Sequence, residues 1–266
     1  LEFFNEEIEL EEVFEFVEEM EIDEYWEDEY WEEWTEEELV EWEEWEEEEW
    51  EEEFESDDDF WLDTEEEWDW SSGYRTDSRD VSNIHALEKF QTACDELNAK
   101  VTYFVNHAVL ANQTTARIIC DLANRPNVEI GMHIHSWNTP PLNAETAVSE
   151  KESFLHNIPR EIAIQKLQTV LDTFNENGLN PTSFRGGRYS TSDWMQEFLH
   201  RNGIIADASI LPFTTWPDDG APDFRDRDLI PVRRDIQSGT HGLWEIPLTL
   251  AYTKKPWTFW RNFYEL

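Results

Sequence analysis

From residue 60 onward, short apolar runs alternate with longer amphipathic stretches, and the alternation predicts a regular series of elements. Phe60-Trp61-Leu62-Asp63 reads as a short strand. Asn83 to Ala99 reads as a helix, because Ile84, Leu87, Phe90, Cys94 and Leu97 fall on one face. Val101-Thr102-Tyr103-Phe104-Val105 is β-branched and aromatic, as strands are. A helix follows from Thr114 to Ala123, a strand from Val128 to His135, and a long polar connection from Ala144 to Ile158. Pro159 then opens a helix that runs through Phe174, at the first-turn position proline tolerates, and Asn177-Gly178 closes it. Thr182 to Arg185 is a short strand, Ser192 to Arg201 a helix stopped by Asn202-Gly203, and Ile204 to Ser209 the next strand. Leu229 to Val232 and Leu243 to Leu248 complete the strand candidates.

A repeated strand–helix order implies parallel pairing, since parallel strands need long crossovers. A barrel and a doubly wound sheet both fit. Both architectures place their sites at the carboxyl ends of the strands, and every chemically suggestive motif in this chain falls just there.

Composition divides the chain. Of its 63 acidic residues, 39 lie in residues 1 to 70, which contain no Lys, Arg or His; the remainder holds 24 acidic residues against 19 basic. Nine of the 15 Trp also lie in the first 70 residues. Aromatic residues recur there at near-helical spacing, but glutamates three and four apart repel with no lysine to offset them. We therefore divide the chain into an acidic low-complexity segment, 1–58, and an α/β domain, 59–266. Cys94 and Cys120 show no metal or redox spacing and read as thiols. No apolar run reaches membrane-spanning length, and no basic start precedes one. The expectation is a chain without membrane or nucleic-acid partners, cytoplasmic by default, its oligomeric state not fixed by sequence.

Four segments carry candidate chemistry. In Gly131-Met132-His133-Ile134-His135, the two histidines alternate on a strand and so share a face. Two imidazoles on one face make half a metal site, though a buried hydrogen-bonded pair gives the same pattern. Asp63 and Glu65 share a face at an earlier strand end, where one carboxylate could ligate a metal and the other act as a base; they also border the acidic segment, where carboxylates are plentiful. Arg185-Gly186-Gly187-Arg188-Tyr189 flanks two glycines with arginines suited to forked contacts on carboxylates or oxyanions, or is a plain turn. Asp207 and Ser209 emerge from the last of the four strand ends.

Taken in order, these segments resemble the polysaccharide deacetylase family (the NodB-homology domain, carbohydrate esterase family four) over roughly residues 60 to 250. Leu62-Asp63-Thr64-Glu65, Glu129-Ile130-Gly131-Met132-His133 and Ser183-Phe184-Arg185-Gly186-Gly187-Arg188-Tyr189 are the most specific pieces. Val101 to Val105 and Leu243-Trp244-Glu245-Ile246-Pro247 are similar to further strands of the family. The resemblance implies a distorted (β/α)7-type barrel, a divalent metal cofactor (zinc first) and a carbohydrate substrate. Residue by residue, it implies Asp63 as base, Glu65 and His133 as metal ligands, and Arg185 as the residue that orients the base. Arg188, Tyr189, Trp137 and Asp207 are the substrate-binding candidates.

Three positions depart from the family pattern. Trp137 stands where many members have the second histidine, so His135 is expected to supply that ligand. Glu65 stands where many have Asp. The chain stops at Leu266, short of the strand that carries the family's late proton-donating histidine; the barrel is expected to lack its closing strand, and His241 is a poor substitute. The expected activity is hydrolysis of N- or O-acetyl groups on a carbohydrate. Two alternatives stay open: a carbohydrate-binding relative with an impaired site, in which Trp137, Trp216 and Trp257 stack on sugar, and an amidohydrolase of a small non-sugar amide.

Because the like charges of the acidic segment oppose compaction, deleting residues 1–55 is expected to leave thermal stability and metal binding unchanged or improved. A large drop in melting temperature on deletion would overturn that expectation.

Overall fold

The computed structural model describes residues 59–69, 72–142, 146–235 and 241–249. The acidic segment 1–58, Trp257 and the end of the chain lie outside the described residues, and so do the expectations placed on them.

Among the described residues, nine strands and six α-helices follow in order: β1 (Asp59–Thr64), β2 (Tyr74–Arg75), α1 (Leu87–Glu96), β3 (Lys100–Val105), α2 (His107–Ala111), α3 (Gln113–Leu122), β4 (Val128–Ile134), β5 (Ala147–Val148), α4 (Glu150–Ser153), α5 (Arg160–Glu176), β6 (Ser183–Gly186), α6 (Asp193–Arg201), β7 (Ala206–Ile210), β8 (Val232–Asp235) and β9 (His241–Pro247). Seven strands form one sheet in the order β1-β3-β4-β6-β7-β9-β8; β2 and β5 pair as a separate antiparallel ribbon. From β1 to β9 the pairing is parallel, and only β8 runs antiparallel to β9.

This strand order speaks against one of the two architectures. A doubly wound sheet reverses direction at a switch point. Here the parallel strands succeed one another in chain order, as in a barrel. The expected barrel is not seen, however: among the described residues β1 and β8 are the sheet edges, and neither pairs with the other. Among the described residues, the last strand in the row is the antiparallel β8, beside β9.

The core lies between the sheet and its helices. Phe174 and Leu167 of α5, Leu199 and Met195 of α6, and Ile119 of α3 are fully covered, together with Met132 and Phe184 of the sheet. Several elements begin where their caps dictate. Asn106 accepts from the backbone N–H of Val109, and Asn112 from those of Thr114 and Thr115, so one apolar stretch becomes two consecutive helices. The expected helix from Asn83 is a 3-10 turn (Ser82–Ala86) leading into α1. Its buried face carries Gln91 in place of Phe90: Gln91 accepts from the Tyr103 hydroxyl at 2.8 Å, and Phe90 and Leu97 are exposed. The connection 144–158 is more ordered than its polarity suggests, because Ser149 and Glu152 form a reciprocal capping box that starts α4. The thiols of Cys94 and Cys120 are free, as expected. No helix among the described residues is long and apolar enough to cross a membrane.

Phe174, near the carboxyl end of α5, is fully buried in the core and is not among the residues of the strand-end motifs. Phe174→Ala is expected to cost about 3–5 kcal/mol, roughly 10 °C in melting temperature for a chain of this size, while zinc affinity measured at low temperature stays unchanged.

Candidate metal centre

Parallel register lines up the chemistry. Asp63 pairs with Phe104, and Phe104 with Gly131; two residues farther on, His133 pairs with Arg185. Because side chains alternate, Asp63, Glu65, His133 and Arg185 fall on one face, at the carboxyl ends of β1, β4 and β6. Gly131 is needed in this row: a Cβ there would come within 2.7 Å of the Phe104 ring and 2.6 Å of Ser183 Oγ. The Phe104 ring in turn supports the Arg185 guanidinium, whose central carbon stands 4.6 Å from the ring centroid. Arg185 Nη1 donates to Asp63 Oδ1 at 3.0 Å. Three strand spacings separate β1 from β6, about 14 Å on a flat sheet, so the Asp63–Arg185 bond reports a face that curls inward.

Beside that pair, Glu65 Oε2 lies 3.0 Å from His133 Nε2 and 2.8 Å from His135 Nε2, and the two imidazole nitrogens are 3.1 Å apart. The three form the group of potential metal ligands found among the described residues. Two imidazoles and a carboxylate suit zinc and similar divalent ions, and three protein ligands leave a further coordination position for solvent or substrate. Donor atoms bound at about 2.0–2.1 Å in tetrahedral array stand roughly 3.3 Å apart, close to the spacings present. The residues therefore fit a divalent ion.

Behind these ligands a buried carboxylate fixes one imidazole. Glu66 Oε1 is 3.0 Å from His135 Nδ1, and its other oxygen accepts from Asn106 Nδ2 at 2.5 Å. This leaves His135 Nε2 as the atom directed at the centre, the carboxylate–histidine arrangement that orients metal ligands. Trp137 stacks on His135, with centroids 4.0 Å apart and planes 20° apart, and Trp68 and Tyr74 pack on Trp137 in turn. Gly187 presses against the same ring: a Cβ there would meet His135 Cδ2 at 2.5 Å, so only glycine allows that approach. His133 Nδ1 is buried without a partner.

Charge follows from this crowding. Burial would push the Glu65 carboxyl up, but the charge of His135 and hydrogen bonds from both imidazoles hold it far below the ordinary range. Glu66 is also lowered: burial opposes its charge, and His135 and Asn106 more than offset it. Burial opposes charge on His135, yet Glu65 and Glu66 together raise its pKa to about 10. The Tyr189 phenol is pushed up, by burial first and then by the charge of Asp63.

The structure thus brings Asp63, Glu65, His133, His135 and Arg185 together. Trp137 lies behind His135 and is almost wholly buried. Arg188 turns toward Glu150, 2.7 Å away, between the rings of Tyr74 and Phe154. Asp207 lies on the opposite face of the sheet, level with Phe184, where Thr191 Oγ1 and Gln196 Nε2 donate to it. Tyr189 stacks on Trp216. The His241 side chain lies outside the described residues. The sequence reading missed Glu66, Asn106, Trp68 and Tyr74. Glu66 adjoins Glu65, and its signal was hidden by the run Glu65-Glu66-Glu67.

No protein-family model and no curated protein matches the chain. Among solved structures it is similar to a candidate polysaccharide deacetylase from Mycobacterium smegmatis, at 17% identity over 62% of this chain and 46% of that one, TM-score 0.42. It is similar to a candidate polysaccharide deacetylase involved in O-antigen biosynthesis from Bordetella bronchiseptica, at 17% identity over 71% of this chain and 56% of that one, TM-score 0.39. It is also similar to 4-α-glucanotransferase from Thermococcus litoralis, at 14% identity over 71% of this chain and 27% of that one, TM-score 0.43. The chain spans about half the length of the first two proteins and less of the third. Scores of this size express a loose likeness, and no function passes across them.

A metal requires neutral imidazole, whereas His135 in the metal-free chain holds its proton up to a pH of about 10. Zinc binding at pH 7.5 is therefore expected to release about one proton, measured by titration calorimetry in buffers of differing ionisation enthalpy. Without metal, the charge on His135 contributes its full stability below the ordinary histidine pKa of about 6.5 and loses it as pH rises toward the folded value. Zinc uptake without proton release would show that His135 is already neutral.

Proposed function

We propose that this chain is a metal-dependent hydrolase that removes N- or O-acetyl groups from a carbohydrate. The observation that carries the reading is a cluster at the strand ends: Glu65, His133 and His135 converge on one point, with Asp63 two residues before Glu65 and paired to Arg185 on the same face. A ligand set of this kind serves hydrolysis when an acid–base group adjoins it.

Glu65, His133 and His135 would hold the ion, with zinc the first choice for this donor set. A divalent ion held there lowers the pKa of water toward neutrality and polarises an acyl carbonyl. Asp63 supplies the base: Arg185 engages its Oδ1, and we assign the proton to Oδ2. Arg185 fixes the carboxylate against rotation, and its own position is set by the Phe104 and Trp61 rings and by the Ala208 carbonyl, 3.3 Å from Nε. Glu66 and Trp137 hold the plane of His135. Tyr189, whose ring is only partly covered, is assigned to substrate. Arg188 and Asp207 support the surrounding turns, through Glu150 and through Thr191 and Gln196 respectively.

The test combines metal content with acetate release from an aryl acetate and from an N-acetylglucosamine oligomer. Asp63→Asn is expected to retain zinc and lose about 100- to 10,000-fold in kcat. His133→Ala is expected to lose both zinc and activity, and His135→Ala to weaken zinc binding by a similar or smaller amount. Zinc binding without acetate release from sugar would favour a non-sugar amide as substrate. Sugar binding without zinc would favour a binding protein. Full activity in Asp63→Asn would remove the proposed base.

A further inference from the structure

Three segments meet around the turn that carries Tyr189. In the turn Gly187–Tyr189, Arg188 and Tyr189 take φ of 53° and 58°, a left-handed conformation that residues other than glycine hold only when their surroundings impose it. Arg188 Nη1 donates to Ser153 Oγ at 2.7 Å and pairs with Glu150, which anchors one side of the turn. The other side is anchored by His156. Ser190 Oγ accepts the His156 backbone N–H at 3.1 Å and lies 2.8 Å from His156 Nδ1. His156 Nε2 is 3.0 Å from the Gly220 carbonyl oxygen. A carbonyl can only accept, so Nε2 carries the proton, and in the neutral ring Nδ1 accepts from the Ser190 hydroxyl. One imidazole thereby ties the strained turn to the loop around Pro217–Asp219.

That loop is fixed at its base as well. Phe213 N–H donates to the Phe224 carbonyl and Phe224 N–H to that of Thr214, and the Phe224 ring is buried. Asn157 Nδ2 adds a second bond to the Gly220 oxygen, at 2.8 Å. Between these fixed ends Trp216 is 39% exposed, its ring 16° from the plane of Tyr189 with centroids 6.5 Å apart. A near-parallel pair of an exposed Trp216 and a half-buried Tyr189, immobilised at this cost, is suited to an apolar ring face in a ligand.

We propose that His156 is a positioning residue that, through Ser190 and Gly220, holds Tyr189 and Trp216 as an aromatic wall for the apolar face of a sugar ring. The choice of sugar rests on the proposed carbohydrate deacetylation. His156 itself touches no substrate.

The experiment is calorimetric titration of the zinc-loaded full chain with an N-acetylglucosamine tetramer, for wild type, His156→Ala, Trp216→Ala and the double variant. Each single substitution is expected to weaken binding about tenfold with zinc affinity unchanged. The double variant is expected to bind no more weakly than Trp216→Ala, because both remove one unit. His156→Gln keeps a donor for the Gly220 oxygen and is expected to recover part of the loss. If His156→Ala does not fold, Ser190→Ala cuts the same tie. Additive losses, or unaltered binding by His156→Ala, overturn the proposal. A wild-type chain that binds no tetramer overturns the wall itself, whereas tetramer binding without acetate release overturns only the hydrolytic reading.

Discussion

The structure turns on one buried imidazole held between two carboxylates. Taking ions out of water costs several kcal/mol each unless they are paired and hydrogen-bonded. His135 meets Glu65 at one ring nitrogen and Glu66 at the other, so two acids and a base share the burden within one cluster. The cluster must still be held closed against the repulsion of adjacent carboxylates. Asn106 takes the outer oxygen of Glu66, Trp137 covers one face of the ring, and Gly187 allows the backbone of the turn after β6 to come up against it. A cation in the centre, or a proton on His135, satisfies the same arrangement, which makes metal and proton competitors for one place.

Around that centre the chain arranges its polar contacts in layers. Directly behind the ligands is an aromatic layer, Trp137, Trp68 and Tyr74. Behind it, Glu150 accepts from the Tyr74 hydroxyl and pairs with Arg188, joining the α4 region to the turn after β6. The short ribbon of β2 and β5 brings Tyr74 and the start of α4 together. Loops that look featureless in sequence therefore connect the Glu65–His133–His135 cluster to the turn after β6.

How much of this was legible in the sequence depended on the range of the interaction. Alternating His133 and His135, and Asp63 with Glu65, could be placed on common faces because strand periodicity is local. Strands Val101 to Val105 and Val128 to His135, and the helix opened by Pro159, were found within a residue or two for the same reason. The order of strands was not available, because parallel neighbours are chosen by tertiary packing. Nor was the side of the sheet on which Asp207 falls: Asp207 and Arg185 look alike as polar residues at strand ends, but the register sets Asp207 beside Phe184. Glu66 was invisible amid repeated glutamates, and Trp137 read as a sugar platform because burial cannot be seen in a single tryptophan.

Glu65, His133 and His135 sit at the carboxyl ends of two strands, β1 and β4, with β3 between them. That intervening strand acts as a gauge block. Its width, the bulk of Phe104 on its inner face and Asn106 just past its end lie between Glu65 and the two imidazoles. A change of bulk on β3 would therefore alter the separation of Glu65 from both imidazoles without replacing any of the three residues.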